Sequence, residues 1–497
     1  MSTQKHSHRR NEHHNSHGSG RTVSRKKAGT RNLAGKLILL VQLLLSVILL
    51  GVVWNSGMVP GKYLAALFGV LILLFGAFFA LQFLKSKVYI LGIVLSIIID
   101  IVLAFGIYYM LEANQMLADV GGATYKTDNM IVVVRADDDA ENIIDAKNYT
   151  FGTQTTQDQE NNQLMLEDVT KVLGQEPDLK EYANVQELAQ GLLDGEIGAA
   201  IYNEAFNGII ENTIPEYTDQ IKILYQYGIE TEIVQEEQAT VTEPFNIYIS
   251  GIDVSGPITT NSRSDVNIIM TVNPSTHKIL LTTTPRDYYV TIPGISGEQR
   301  DKLTHAGIYG VDASMATLES IYGIDISYYA RVNFDSLVEI VDALGGVDVY
   351  SEYEFTGRGE HFVQGYNHVD GEAALKFARE RYSFESGDNQ RGKNQEALLT
   401  AILEKAMSPA MLANASELIT SVSDSVETNM TRTEMAQFIN QQLADAADWT
   451  IESVAATGTG DNQACYSSGS QLLYVMWPDE ASVAEISARM QAVMNGQ

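Results

Sequence analysis

The sequence predicts an α/β protein held in a membrane. Three N-terminal transmembrane helices lead into a small α/β accessory domain, followed by a larger α/β domain whose central mixed sheet is flanked by helices. Three observations carry this reading. Long uncharged runs follow one another before residue 112. Beyond them, runs rich in β-branched residues alternate with apolar residues at helical spacing. The charge is also divided so unevenly that the two ends of the chain belong in different surroundings.

The membrane elements come first. No charged residue lies between Leu37 and Gly61, nor between Tyr63 and Leu84, and Val88 to Leu111 is interrupted only by Asp100. Each run approaches or exceeds the roughly 20 apolar residues needed to cross a bilayer, and so many in succession exclude a cleaved signal peptide. Residues 1–36 carry nine Lys/Arg against the single acid Glu12, a net of +8. This basic tail and the connector residues Lys85 and Lys87 belong on the cytoplasmic side. Three crossings then place everything after about residue 112 outside a multi-pass cell-membrane protein. Asp100, mid-span, reads as a protonated or helix-bonded side chain, with a proton or partner contact as the alternative. The tail "HSHRRNEHHNSHGSGRTVSRKK" holds five of the nine histidines, but its charge and low apolar content read as a disordered, lipid-attracted segment rather than a metal site.

The whole chain has a formal net charge of −29, so the part beyond residue 110 carries −39 after the +8 of the tail and the +2 of residues 37–110. Such an acidic domain repels phosphate over most of its surface, which excludes a nucleic-acid partner and confines any phosphate chemistry to a local basic pocket. Cys465 is the only cysteine. No intrachain disulfide and no Cys-based zinc site can form.

Residues 112–240 read as the accessory domain. "NMIVVVRA" is a strand, "NVQELAQGLLDGEIGAAIYNEAFNGII" is helix, turn, strand and helix, and "IKILYQYGI" is another strand. "VQEEQATVTEP" is an acidic linker. Asp137, Asp138 and Asp139 lack the alternating spacing of a calcium loop and read as a solvated turn.

The larger domain covers 243–497. Strands are predicted over Phe245–Ser250, Val266–Val272 and Ile279–Thr284. "FDSLVEIVDALGG" has Phe334, Leu337, Val338, Val341 and Leu344 at helical spacing with a glycine stop, and "GEAALKFARERY" and "DNQRGKNQEALLTAILEKAM" give two more helices, the latter with Asp388 as a possible N-cap. "QLLYVMW" near the C-terminus is expected to complete the sheet. Charge falls at the ends of these elements. Arg263 and Asp265 precede one strand, and Arg286 and Asp287 follow another. Arg379 and Arg381 end a helix, and Arg391 and Gln395 share one helical face. Clustered guanidinium groups repel one another unless a polyanion supplies the counter-charge, and their planar forks pair with phosphate oxygens. Asp253 and Asp265, with no His or Cys nearby, suit Mg²⁺ held jointly with a phosphate. Taken singly, any of these groups reads as a surface ion pair; Arg286 with Asp287 is one example.

Six short motifs occur in order: "GID" with Asp253, "SRSD" with Arg263 and Asp265, "TPRD" with Arg286 and Asp287, "ALGGVDV", "FARER" with Arg379 and Arg381, and "GDNQRGKNQ" with Asp388, Arg391 and Gln395. Together they resemble the LytR-CpsA-Psr (LCP) family of Gram-positive cell-wall proteins, particularly its CpsA-type members with an accessory domain. Thr284 stands where the family usually has Ser. The resemblance implies a membrane-anchored extracellular phosphotransferase that moves a glycopolymer, of capsular or teichoic acid type, from polyprenyl pyrophosphate to peptidoglycan. It implies Asp253 and Asp265 as Mg²⁺ ligands, with Mn²⁺ possible. Arg263, Arg286, Arg379, Arg381, Arg391 and Gln395 would bind the pyrophosphate, and the polyprenyl tail would lie in an apolar pocket. Arg286, Asp265 and Asp287 are the catalytic candidates, the two acids being alternative general bases. Two other readings compete: a regulatory membrane protein, and a phosphatase using water at the same site.

Overall fold

The computed structural model describes residues 22–82, 87–120, 125–232, 242–252, 258, 261–384, 387–408, 411, 425–445 and 447–497. Asp253, the start of the histidine-rich tail and most of the acidic linker lie outside these residues. The chain divides into two units, one of residues 1–56 and 61–111, the other of residues 57–60 and 112–497.

The first unit is built on helices α1 (Thr22–Ser56), α2 (Gly61–Leu81) and α3 (Lys87–Val120). Within them Leu33–Ser56, Gly61–Leu81 and Val88–Gln115 are long and apolar enough to cross a membrane. Helix α1 starts at Thr22, so the last residues of the tail expected to be disordered are helical. The stretch from Thr22 to Lys36 contains no proline and several good helix formers, and nothing in it stops the helix early.

The accessory part of the second unit comprises β1 (Tyr125–Arg135), β2 (Thr150–Gln154), α4 (Gln159–Leu173), β3 (Asp178–Tyr182), α5 (Val185–Leu193), β4 (Ala199–Asn203), α6 (Asn207–Glu211) and β5 (Ile221–Glu232). The sheet order is β3-β2-β4-β1-β5. Met130 to Val134 on β1 are fully buried because both faces of the strand are covered. Met130, Val132 and Val134 pack with Met165, Val169 and Leu173 of α4. Ile131 and Val133 point the other way, to Val185, Leu188 and Leu192 of α5. The two-residue alternation of a strand thus feeds two separate cores.

The larger part begins with β6 (Phe245–Ile252), β7 (Ser264–Asn273), β8 (Lys278–Thr283), β9 (Tyr289–Thr291), β10 (Arg300–Lys302), α7 (Leu303–Ala306), α8 (Val311–Tyr322), β11 (Tyr328–Val332) and α9 (Phe334–Ala343). It continues with β12 (Val347–Ser351), β13 (Phe355–Gly357), β14 (Glu360–Phe362), β15 (Gly365–Val369), α10 (Gly371–Arg379) and α11 (Asp388–Ala406). The last elements are β16 (Glu427–Thr428), α12 (Arg432–Asp445), β17 (Thr450–Ala455), β18 (Gly458–Ala464), β19 (Leu472–Pro478) and α13 (Glu480–Met494). The central sheet has the order β16-β11-β6-β7-β8-β17. It is mixed: β6 is parallel to β11 and antiparallel to β7, and β8 is parallel to β17. On one face Ile268, Met270 and Leu281 meet Leu399 and Leu403 of α11. On the other, Ile269 and Leu280 meet α8 and α13 through Leu318, Tyr322, Ile486 and Met490. "QLLYVMW" does not complete this sheet; as β19 it pairs with β18 in a separate ribbon, because β17 already occupies the edge beside β8.

Antiparallel pairing positions the site. Ile252 lies opposite Ser264, so the end of β6 and the start of β7 share one edge of the sheet. Thr284, just past β8, donates its N–H to Asn267 O at 2.8 Å and brings the following Arg286 to the same edge. Helices α9 and α10 cross closely there. A Cβ on Gly371 would meet Val338 O at 2.4 Å, so only glycine allows this approach.

Candidate active site

At that edge lies a cavity of ≈ 280 Å³ between the sheet and helices α9, α10 and α11. Its walls are apolar: Ile249, Val266 and Ile268 from the sheet, Leu337 from α9, Leu375 from α10, and Leu398, Leu399 and Ile402 from α11. Its charged lining is Asp265, Arg286, Arg358, Arg379, Arg381 and Arg391, with Gln395 beside them. Six predicted residues separated by up to 130 positions in sequence therefore line one space: Asp265, Arg286, Arg379, Arg381, Arg391 and Gln395.

Asp265 is the organising carboxylate. Its Oδ2 accepts from Arg286 Nη1 at 2.6 Å, its Oδ1 accepts from Thr304 Oγ1 at 3.1 Å, and its main-chain oxygen accepts from Arg391 Nη2 at 3.2 Å. Burial pushes its carboxyl up, but the charges of Arg286, Arg263 and Arg391 and the Thr304 hydrogen bond outweigh burial and hold it below its ordinary value. The site therefore keeps a partly buried anion ionised among cations.

The other predicted residues are placed differently. Asp287 does not line the cavity; its carboxylate forms an ion pair with Lys302 and lies 3.9 Å from Arg286 Nε. Arg263 also stands off the cavity wall, and its Nη1 donates to Gly208 O of the accessory part at 3.3 Å. Helix α11 starts at Asp388 itself with Gly387 as its N-cap, so Asp388 is not the cap. The preceding glycine has φ 51°. Arg379 stacks over the Phe334 ring, its Cζ 3.9 Å from the centroid, and Arg381 donates to Tyr382 Oη at 2.7 Å.

Arg358 escaped the sequence reading. Register pairs Gly357 with Glu360, leaving Arg358-Gly359 as a two-residue hairpin tip. Both residues have positive φ, 48° and 84°, as a type I′ turn requires. An arginine in this conformation costs on the order of 1 kcal/mol, and it turns the hairpin tip into part of the cavity lining. Gly-Arg-Gly between two short strands was the available signal. Thr304 and Lys302 were also missed. They sit on a segment fixed from behind by a fully buried cluster in which His305 Nδ1 lies 2.6 Å from Asp301 Oδ1 and Ser467 Oγ donates to Asp301 Oδ1 at 3.0 Å. Only the His305–Asp301 contact, four residues apart, is local in sequence; Ser467 comes from 166 positions away.

Asp265 is the one predicted metal ligand among the described residues, and no group of three or more His, Cys, Asp or Glu converges among them. Both its oxygens accept hydrogen bonds but keep further lone pairs. One ionised carboxylate fits a hard cation that draws most of its remaining ligands from phosphate and water.

The LytR_cpsA_psr family pattern matches residues 216–491. The chain belongs to this family. The LCP assignment expected from the six motifs is thus the one found. Among similar proteins is a polyisoprenyl-teichoic acid–peptidoglycan teichoic acid transferase, TagU, of Bacillus mycoides, 32% identical over 240 residues, covering 48% of this chain and 76% of the relative. TagU of Enterococcus faecalis is 36% identical over 196 residues, 39% of this chain and 64% of that protein. A crystal structure of B. subtilis TagV shares 26% identity, covers 51% of this chain and 98% of its own, and superimposes with a TM-score of 0.44. In this LCP chain the matched region contains the whole cavity.

Proposed function

We propose that this LCP protein transfers a glycopolymer from a polyprenyl pyrophosphate carrier to peptidoglycan on the outer side of the cell membrane. The observation that carries the reading is the two-part cavity, apolar along its walls and lined with arginines around Asp265. An isoprenoid chain needs the first and a diphosphate the second. The names of the relatives, which are teichoic acid transferases, support the same substrate class. The three apolar helices keep the domain beside a lipid donor, and the basic N-terminal tail favours an inside position for that end.

In this reading an acceptor sugar hydroxyl forms a new P–O bond at the glycan-side phosphorus and releases its proton to water. The P–O–P link breaks and polyprenyl phosphate leaves. Negative charge grows on the phosphate oxygens, and Arg286, Arg379, Arg381 and Arg391 meet it with donors already in place. Asp265 is held ionised and is engaged on both oxygens. It therefore orients Arg286 and, with Asp253, would hold Mg²⁺. A bound Mg²⁺ would add Lewis-acid neutralisation of the diphosphate. Phe334 fixes the plane of the Arg379 guanidinium.

The test uses the full-length protein in detergent micelles with a polyprenyl-pyrophosphate-linked glycopolymer and peptidoglycan fragments. The expected products are polyprenyl phosphate and a glycopolymer–peptidoglycan phosphodiester, identified by mass spectrometry. Release of free glycopolymer phosphate, with no acceptor adduct at saturating acceptor, would replace the transferase by a hydrolase.

A further inference from the structure

The accessory part touches an arginine that flanks the charged site. Gly208, on α6, accepts from Arg263 Nη1 through its main-chain oxygen at 3.3 Å. The guanidinium lies against the glycine so closely that an added Cβ would stand 2.6 Å from both Cζ and Nε of Arg263. Arg263 directly precedes β7, two residues before Asp265. The surrounding contacts hold this arrangement in place. Asn261, two residues before Arg263, donates to Asp128 Oδ1 of β1 at 2.7 Å, and both side chains are buried. Gln186 of α5 donates to Ser467 O at 2.9 Å, reaching the cluster behind Thr304. The Phe206 and Tyr309 rings close the seam, their centroids 6.2 Å apart.

We propose that the accessory domain is a working part of the phosphate site, in which Gly208 is a positioning residue that seats the Arg263 guanidinium beside Asp265. Glycine leaves room for the guanidinium to lie flat, and the main-chain oxygen takes one of its five donors. This contact anchors the guanidinium from the accessory side, and rigid placement lowers the cost of gathering the arginines for a diphosphate. The accessory domain then does more than space the catalytic part from the membrane.

The inference rests on the diphosphate reading of the cavity, and the experiment separates the two. The full-length protein binds farnesyl pyrophosphate in Mg²⁺ buffer, followed by calorimetry, and its thermal unfolding is recorded in parallel. Gly208→Ala places a methyl group against the flexible end of Arg263, at a helical position where Ala is tolerated. Arg263→Ala is expected to weaken binding roughly ten-fold, and Gly208→Ala roughly three- to ten-fold with unfolding temperature unchanged. The double variant is expected to be no worse than Arg263→Ala alone, because both remove the same seated guanidinium. Normal binding by Gly208→Ala beside weakened binding by Arg263→Ala would overturn the positioning role. So would additive losses in the double variant. Absence of farnesyl pyrophosphate binding by the unaltered protein would instead overturn the diphosphate reading.

Discussion

The chain carries two α/β sheets, and their central strands are used in different ways. In the accessory sheet, Met130 to Val134 are covered on both faces and the packing is complete. In the catalytic sheet, Ile249, Val266 and Ile268 face a cavity. Apolar side chains that border a cavity forgo part of the dispersion energy that a filled core supplies. The catalytic sheet also ends in partly buried charge, with Arg286 and Asp265 21% and 15% exposed at their side chains. The accessory strands are arranged for stability, and the catalytic strand ends hold features that cost stability and are kept for a ligand.

The sharpest way to break this contrast is to swap the expected consequences. Asp265→Ala leaves Arg286 without its 2.6 Å partner and the arginines without their central anion. Transfer is expected to fall by about two to three orders of magnitude, measured as adduct formed per folded molecule. The comparison substitution is Met165→Ala, which truncates a fully buried side chain in the accessory core. It should cost about 2–5 kcal/mol of stability by denaturant midpoint and leave transfer per folded molecule unchanged. The contrast collapses if Met165→Ala cuts specific activity as deeply as Asp265→Ala does.

A second prediction concerns Glu396, buried on α11 next to Gln395. Burial pushes its carboxyl up to about 7, against the opposing pull of Thr283 and Lys393. In the unfolded chain it returns to the ordinary range near 4.3. The native state therefore holds this proton more tightly, and stability is lost as pH rises from about 4.3 to about 7. The full loss is at most about 4 kcal/mol. Glu396→Gln carries no titrating proton, so its unfolding midpoint should exceed that of the parent at pH 8 and match it near pH 4. Parallel pH curves for the two proteins would remove Glu396 as a source of strain in the catalytic helices.

Much of this was legible because the informative signals are local. The β-branched runs at 245–250, 266–272 and 279–284 became β6, β7 and β8, and six charged or polar residues flanking such elements became a cavity lining. What escaped depends on distant partners or on weak patterns. Helix α4 was passed over because its buried positions Met165, Val169 and Leu173 are interleaved with Glu160, Glu167 and Asp168. Strand β3 reads "DLKEY" and is mostly exposed at a sheet edge, so no apolar alternation marks it. Thr304 acts on a residue 39 positions earlier, and Arg263 meets a glycine 55 positions earlier on another sheet's helix. Local spacing carries no record of such pairs.

The smallest expected effect tests whether the cavity's arginines act as shaped forks or merely as charge. Arg379 is stacked on Phe334 and lines the cavity between α10 and α11. Arg379→Ala removes donor and charge and should weaken a polyprenyl pyrophosphate complex by about 1–3 kcal/mol. Arg379→Lys keeps the charge but replaces a planar, stacked fork by a flexible ammonium. If geometry matters, the lysine variant recovers only part of the loss, and the unrecovered part is erased in Phe334→Leu, where the fork has no ring to lie on. Full recovery by lysine in the parent background would mean that the cavity grips its ligand by charge alone, and that the Phe334 contact serves packing in the catalytic part as Met165 does in the accessory one.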